Sequence, residues 1–599
     1  MYNYFVWIKK QPRGEEMFSI FKKIGWFIKM HWVRYTLAII FLNLASLISV
    51  LPPKVLEKGI NEIINKTLTK ETLLMLILYM LIIIVVGYTV SFLWVYLLYG
   101  ASNELEYTIR KNFFKHLLKM DNKFFERNVV GDLMARATSD LRAISMTAGY
   151  GVLALVDSTV YLVFILSMMI FTIDFRLTVV SLIPLPFVVI TVQVLGKKIH
   201  KAFTKSQNAF SEMNNKVLES VGGVRVVRAY VQEHSDINRL EASATEALKK
   251  NINLVKIDAL FEPLFKTVFA VAQIIAFSYG LYLVFNQELT PGELVSFSIY
   301  LGMLAWPLIA LGDTVNVMQR GNASYDRIQG VLSQESEVKE PINPQSIGDR
   351  FESLKFSNVT FAYSNAEFNA INHINFKLNR GQTLGIVGKT GSGKTTILRQ
   401  FLKQFDLEQG EVLINDINIK DISTKEVRGI FGYVPQEHIL FSGTVKENIA
   451  FGKANATDEE IESAIDLSAF RKDIAFLDKG IETIVGEQGV TLSGGQKQRL
   501  SIARAFVLDP EVLILDDSLS AVDGTTEKMI LMNLKKARKN KTTVIVAHRL
   551  SAVEHAEHII VLDNGSIVEE GNHEKLMKIN GWYKKQYIHQ QMKENRSEE

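Results

Sequence analysis

The run Gly385-Ile386-Val387-Gly388-Lys389-Thr390-Gly391-Ser392-Gly393-Lys394-Thr395 has the residue types and spacing of a phosphate cradle, with an apolar strand predicted to enter it and a helix over 396–405 to leave it. Glycines let backbone N–H groups close around phosphate oxygens without Cβ obstruction. Lys394 is placed to reach the β- and γ-phosphates, and the Thr395 hydroxyl is placed to bind Mg²⁺. Gly388, Thr390, Gly391, Ser392, Gly393, Lys394, Thr395 and Thr396 therefore form a candidate nucleotide-binding set. Downstream, Val512-Leu513-Ile514-Leu515-Asp516 reads as a buried strand ending in a carboxylate, the layout that holds Mg²⁺ opposite such a cradle. An apolar run ending in Asp is common by itself; following a phosphate cradle it is a strong signal.

Kinases, GTPases and helicases also use cradles of this kind. The discriminating stretch is Leu492-Ser493-Gly494-Gly495-Gln496, followed by Lys497-Gln498-Arg499 and a helix. A serine and two glycines opening a helix N-terminus make a second anion cradle. On these residues the chain resembles the ABC transporter superfamily, whose signature is LSGGQ, and the resemblance extends over most of its length. It implies that Ser493, Gly495 and Gln496 close on the γ-phosphate of nucleotide held by another subunit, so that two chains sandwich two ATP molecules with Mg²⁺. It further implies that Tyr363 stacks on adenine and that Gln436 contacts Mg²⁺ and water. Ser520-Ala521-Val522-Asp523 resembles the D-loop, His548 the switch histidine, and Gly486-Glu487-Gln488-Gly489 an exporter-type segment that touches cytoplasmic hairpins. Singly, Tyr363 could be a strand aromatic, Gln436 a loop amide and His548 a strand-end residue; the series in register favours the family roles.

One position departs from the family. Where most ABC ATPases carry a glutamate after the acidic strand end, this chain has Asp517. The carboxylate is withdrawn by one carbon–carbon bond, roughly 1.5 Å, and a misplacement of about 1 Å can cost on the order of a hundredfold in rate. Asp517, Gln436 and His548 are the candidate catalytic residues, with Thr395, Gln436 and Asp516 as candidate metal ligands. The expectation is a site that binds ATP well and cleaves it poorly, beside an intact LSGGQ able to serve a partner. This asymmetry resembles heterodimeric bacterial multidrug ABC exporters, and Arg320-Gly321-Asn322-Ala323-Ser324, Gly388–Thr395 and 516–523 look like their degenerate-site, BmrC-type subunit. The resemblance implies an obligate heterodimer with a second half-transporter chain; a homodimer hydrolysing slowly through Asp517 is the alternative.

These residues need elements to hold them, and the chain is long enough for two or three domains at 599 residues. Its 48% hydrophobic content is unevenly distributed, with long apolar runs in the first half and soluble α/β-like alternation in the second. A net charge of +4 gives no nucleic-acid signal. The absence of cysteine excludes disulfides, cysteine-ligated metals and a cysteine-protease function in this chain. Six stretches have the length and apolarity to cross a bilayer: 35–51, 73–98, 149–173, 177–195, 264–285 and 294–311. The connections after the second and fourth are long and rich in Lys and Arg, which places them, the ATPase half and both termini in the cytoplasm. Each long connection reads as a helical hairpin projecting roughly 30 Å or more, interrupted near Gly131-Asp132 and Gly222-Gly223 and suited to touching a cytoplasmic motor.

Few ionisable residues fall in or near the spans: Asp157, Glu262, Lys266 and Asp313. Glu262 and Lys266, at i and i+4, are expected to pair. Asp157 has no local partner and is the candidate substrate-cavity residue; Phe164, Phe269, Phe277 and Trp306 are candidate pocket aromatics, most of them expected to pack or face lipid. The expected domains are a leader and interfacial elbow helix over 1–34, with Met17 a plausible start; a transmembrane domain over 35–325; a linker over 326–353; and an ABC ATPase domain over 354–592. The expected fold is an all-α six-helix transmembrane domain of the ABC exporter type fused to an α/β P-loop nucleotide-binding domain. The expected function is ATP-driven efflux of hydrophobic or cationic amphiphiles from a bacterial plasma membrane. A lipid flippase would share every motif. A peptide exporter often adds a cysteine-protease domain, which is missing here; an importer usually keeps the two domains on separate chains.

Overall fold

The computed structural model describes residues 18–598, apart from Asp349, Ser364, Asn365, Glu367, Glu408, residues 487–490 and Ala521. The leader expected over 1–16 lies outside the described residues. Two compact units emerge. One comprises the chain up to His116 together with Gly131–Ser333; the other joins Leu117–Val130, the turn of the first hairpin, to Gln334–Glu599.

The first unit is helical. Among the described residues five helical stretches are long and apolar enough to cross a membrane: Trp32–Ile64, Lys70–Leu117, Val130–Thr172, Glu233–Phe285 and Pro291–Leu332. Only 11% of the apolar window of Lys70–Leu117 is buried within the chain, and its Ile84 and Tyr88 point outward. Apolar surface left bare on this scale suits lipid, where helices satisfy their own backbone. The fourth predicted span differs from expectation. It is split into Phe175–Leu182 and Leu185–Gly222, because Pro184 and Pro186 lack the N–H donors that an unbroken helix needs. Hydropathy alone does not register such a break.

The long connections are helical, as their composition predicts. Lys70–Leu117 is a single helix of 48 residues, about 70 Å at 1.5 Å per residue. The second hairpin bends at Gly223, between Leu185–Gly222 and Val224–Ala229. Gly131, expected to interrupt the first hairpin, instead lies inside Val130–Ala135. The actual break precedes it, on either side of the short helix Asn122–Arg127. Glu262 and Lys266 do pair, at 2.6 Å and largely exposed. The third span carries π-helical turns at Arg136–Asp140, Thr147–Gly151 and Asp157–Tyr161. The first of these turns Asp140 toward the last long helix, where Ser324 Oγ donates to it at 2.9 Å and Arg327 Nε at 2.8 Å.

The second unit is built on a six-stranded sheet. From edge to edge it runs Ser566–Gly571, His558–Asp563, Thr383–Gly388, Thr542–Val546, Val512–Asp516 and Phe431–Val434. All neighbours are parallel except the first pair. Val512–Asp516 and Thr542–Val546 are buried at every residue, the continuous burial expected of strands covered on both faces. Side chains alternate between two cores, Leu513 and Leu515 in one, Val512 and Ile514 in the other. A second sheet, of strands Ile371–Asn379, Ser353–Phe361, Gln409–Ile414 and Ile417–Asn418, is antiparallel.

Candidate nucleotide-binding site

Parallel strands deliver their carboxyl ends to one side of a sheet, where ligands of open α/β folds bind. Here Thr383–Gly388 ends in the glycine-rich run and Val512–Asp516 ends in Asp516. Asp516 is in register with Val546, two residues before His548, and Phe431–Val434 ends two residues before Gln436. The result is a cavity of about 710 Å³ whose lining includes Tyr363, Lys394, Thr395, Gln436, Asp516, Asp517 and His548. Residues separated by up to 185 positions in sequence thus line one cavity: strand polarity brings Gln436, Asp516, Asp517 and His548 to it, and Tyr363 comes from just beyond Ser353–Phe361 of the antiparallel sheet. Thr390, Gly391, Gly393 and Thr396 also line it, while Gly388 and Ser392 are not among the lining residues.

The glycines are required by geometry. Gly388 has φ +151° and Gly393 φ +98°, and a Cβ at these positions would stand 2.2 Å from the Leu562 carbonyl oxygen and 2.5 Å from that of Ala370. No larger residue fits without moving backbone. Gly393 precedes Lys394–Phe401, whose first residues Lys394, Thr395 and Thr396 line the cavity, so a helix N-terminus, which attracts anions, opens at it. Lys394 is buried, its Nζ donating to the carbonyls of Gly388 at 3.0 Å and Lys389 at 2.8 Å. Burial pushes its ammonium below the ordinary lysine value, opposed by the carboxylates of Asp517 and Asp516.

Asp516 is 1% exposed. Thr395 Oγ1 donates to one of its oxygens at 3.3 Å and Tyr433 Oη to the other at 3.2 Å. Burial pushes the Asp516 carboxyl up, and these two hydroxyls oppose the shift. A buried carboxylate facing a threonine hydroxyl is a set of hard oxygen donors, suited to a small divalent cation. Asp517 follows in the left-handed region at φ +47°, with its N–H donating to the Val546 carbonyl at 2.9 Å. Asp tolerates that conformation better than most side chains. His438, two residues beyond Gln436, sits near Asp517, and burial lowers its pKa toward the neutral imidazole.

The LSGGQ residues are placed elsewhere. Ser493 caps Gly494–Phe506, accepting from the N–H of Gln496 at 3.3 Å, while Gln496 Oε1 accepts from the N–H of Ser493 at 2.9 Å. Arg499 is clamped by Asp473 at 2.6 and 2.8 Å, which fixes the helix. Ser493, Gly495 and Gln496 do not line the cavity of their own chain. Residues 487–489 of the segment before the signature, and Ala521 of 520–523, lie outside the described residues.

Sequence reasoning missed Asn564 and Gly565, which line the cavity. They form the two-residue turn between the antiparallel edge strands, and the Gly565 N–H donates to the Ser392 carbonyl at 3.2 Å, buttressing the cradle. The signal was present: Asn-Gly between alternating apolar runs is a strong hairpin marker. In the helical unit, Asp157 does have a partner, though a distant one. Trp306 Nε1 donates to its Oδ2 at 2.8 Å. Asp313 accepts from Tyr150 Oη at 2.9 Å. Phe164 and Phe269 are half-buried against the helical core; Phe277 and Trp306 are exposed.

A helical membrane unit joined to a P-loop unit of this geometry defines the ATP-driven transporter class, and comparison with known proteins places the chain there. The model of the ABC transporter transmembrane region matches residues 35–308, and the ABC transporter model matches residues 371–520. The chain belongs to the ABC transporter superfamily, as an exporter with both domains on one polypeptide. It is 48% identical over 576 residues to the probable multidrug resistance ABC transporter ATP-binding/permease protein YheI of Bacillus subtilis, covering 96% of this chain and 98% of that protein. It is 39% identical to the multidrug resistance-like ATP-binding protein MdlA of Escherichia coli, covering 96% and 97%. The solved structure of a bacterial Atm1-family ABC exporter with ATP bound superposes with a TM-score of 0.74 at 24% identity, covering 93% of this chain and 98% of that one. That likeness establishes the fold. The expected class, an ABC exporter fold with a multi-pass membrane domain, is thereby shown.

Proposed function

We propose that this chain is the degenerate-site half of a heterodimeric multidrug exporter, using ATP and Mg²⁺ to move hydrophobic or cationic amphiphiles across a bacterial plasma membrane. The observation that carries the proposal is the separation of the two cradles. The chain's P-loop cavity contains a shortened carboxylate, Asp517, and its LSGGQ turn lies outside that cavity. Both could be completed by a second chain. The names of the relatives, multidrug resistance proteins from two bacteria, support the substrate class.

Bound ATP·Mg²⁺ supplies a polarised phosphoanhydride for attack by water. Gly388 to Gly393 would hold the phosphates through backbone N–H groups, Lys394 would neutralise their charge, and Thr395 and Asp516 would hold the cation. Gln436 and His548 orient groups around the attacking water. Asp517, one carbon–carbon bond shorter than the glutamate usual at this position, would reach the proton of that water poorly, so cleavage here would be slow. Ser493, Gly495 and Gln496 serve the partner's nucleotide instead. Closure of the paired ATPase units is passed to the membrane helices through the hairpin turns near 124–132 and 228–235, and both termini stay cytoplasmic. Asp157, held by Trp306, faces the substrate path and favours cations. Asp157→Asn should lower efflux of cationic dyes severalfold and leave neutral ones unchanged.

Co-expression with a half-transporter carrying glutamate after its acidic strand end tests the reading. The pair should co-purify and show drug-stimulated ATPase in lipid, and the present chain alone should show little. Brisk ATPase or dye pumping by this chain alone would overturn the heterodimer.

A further inference from the structure

Tyr363, which lines the same cavity as Asp517, has an unusual set of neighbours. Its hydroxyl lies 3.0 Å from Thr396 Oγ1 and accepts from Arg399 Nη1 at 3.1 Å. The Arg399 guanidinium also lies over its ring at 5.7 Å from the centroid, and over Phe405 at 5.9 Å. Phe361 and Phe405 meet the same ring edge-on at 5.1 and 5.5 Å. The ring plane is thus fixed by two aromatic edges and one cation, and among the described residues Arg399 is the polar group that contacts both its face and its hydroxyl.

Arg399 has a second attachment. Glu126 Oε1 stands 3.8 Å from the same Nη1. Glu126 belongs to Asn122–Arg127, the short helix in the turn of the first hairpin, which packs as part of the ATPase unit. That helix is itself anchored. Asp121 caps it by accepting from the Phe124 N–H at 2.9 Å, and its other oxygen accepts from Ser336 Oγ at 3.0 Å and the Glu337 N–H at 2.6 Å. Asn122 Nδ2 donates to Gln404 Oε1 at 2.7 Å. Arg399 in turn lies five positions beyond Lys394, on the helix that leaves the phosphate cradle. One guanidinium therefore joins the hairpin turn, the base-facing ring and the phosphate-binding helix.

Resting on the nucleotide-site reading above, we propose that Arg399 is a positioning residue that couples nucleotide occupancy at Tyr363 to docking of the first hairpin turn through Glu126. A purine laid on Tyr363 restrains the ring, the ring restrains the guanidinium, and a restrained guanidinium is a better partner for Glu126. Linkage makes the coupling reciprocal: whatever factor the docked turn adds to nucleotide affinity, nucleotide adds to docking of the turn. Glu126 and Arg399 are both about one-third exposed, at 40% and 35%. The factor should therefore be about two- to fivefold, the range of a half-exposed ion pair. Arg399→Lys keeps the charge but loses the planar fork and the ring contact, so it should behave as Arg399→Gln does.

The test uses the full-length chain in nanodiscs, with ATP affinity measured by displacement of mant-ATP and with hydrogen exchange of the turn. Glu126→Gln, on a surface helix, should weaken ATP about two- to fivefold, and Glu126→Gln with Arg399→Gln should be no worse than Arg399→Gln alone. Saturating ATP should slow exchange over 121–127 in the wild type and not in Arg399→Gln. A purely structural role for Arg399 predicts additive losses and ATP protection of the turn in Glu126→Gln, and either result would overturn the proposal. Unchanged ATP affinity in Glu126→Gln would also sink it. Should Arg399→Gln misfold, Glu126→Gln alone decides through affinity and exchange. The wild-type chain and Tyr363→Ala separate this from the underlying reading: no ATP binding by wild type would refute the site itself, while wild-type binding that Tyr363→Ala weakens leaves only the coupling at stake.

Discussion

The strand-end cavity and the LSGGQ turn lie in the same unit and are finished to different degrees. The cavity gathers a lysine, four hydroxyls, two carboxylates, three amides and an imidazole in its lining. The LSGGQ turn closes its hydrogen bonds upon itself, Ser493 to Gln496 and back, and its residues are not among those that line the cavity. Strand polarity can assemble the first within one chain, because parallel strands share an end. Nothing in the sheet's topology brings the second to the same place. The two regions are therefore best read as halves of different sites, and perturbing each should give different outcomes.

The largest contrast should come from Lys394→Ala. Removing one partner of a desolvated charge contact costs about 2–5 kcal/mol, so ATP affinity of the full chain should fall about thirtyfold or more by nucleotide displacement. Ser493→Ala should leave that affinity unchanged while lowering ATPase of the assembled pair. Comparable affinity losses from both changes would mean that the two cradles act on one nucleotide within one chain.

Asp517→Glu should come next. The longer side chain restores roughly 1.5 Å of reach, and ATPase at this site in the pair should rise on the order of tenfold. The gain should stop short of the hundredfold that a 1 Å correction can be worth, because φ +47° suits aspartate better than glutamate. A lack of any increase would locate the defect in the backbone turn rather than in the side-chain length.

Ser493→Ala has a second, smaller consequence. Loss of the cap on Gly494–Phe506 should destabilise the ATPase unit by about 1 kcal/mol, readable as a lower melting temperature. A larger loss would show that the turn is a structural element first.

The cavity was legible because its chemistry is local in sequence: cradle, acidic strand end and signature each announce themselves over five to eleven residues. Where they meet was legible only through fold class. Arg399 was not legible, since one arginine on a helix face carries no pattern, and its partners Tyr363 and Glu126 are 36 and 273 positions away. In the helical unit, hydropathy located the spans but averaged over Pro184 and Pro186, and so missed the split of the fourth. The partner of Asp157 is 149 positions distant, beyond any pattern of helical spacing.

The smallest effect should be a pH dependence in the hairpin turn. Burial alone would raise the Asp121 carboxyl, but donors from Phe124, Glu337, Ser336 and Val338 outweigh it and hold the pKa below the ordinary value. A carboxyl whose folded pKa is depressed contributes stability that is fully present above the unfolded pKa, near 3.9, and is lost as pH falls through the folded one. Proteolytic protection of the 334–340 linker should therefore be flat from about pH 8 to 5 and decline below that. Asp121→Asn keeps the shape but weakens the acceptor, so it should lower protection a few-fold at neutral pH and abolish the acidic decline. The cavity offers the opposing case. There burial raises Asp516, so its folded form takes up a proton more readily than the unfolded chain, and acidification should favour it. An Asp121→Asn chain that still lost protection between pH 5 and 3 would assign the decline to other carboxylates and remove this distinction between turn and cavity.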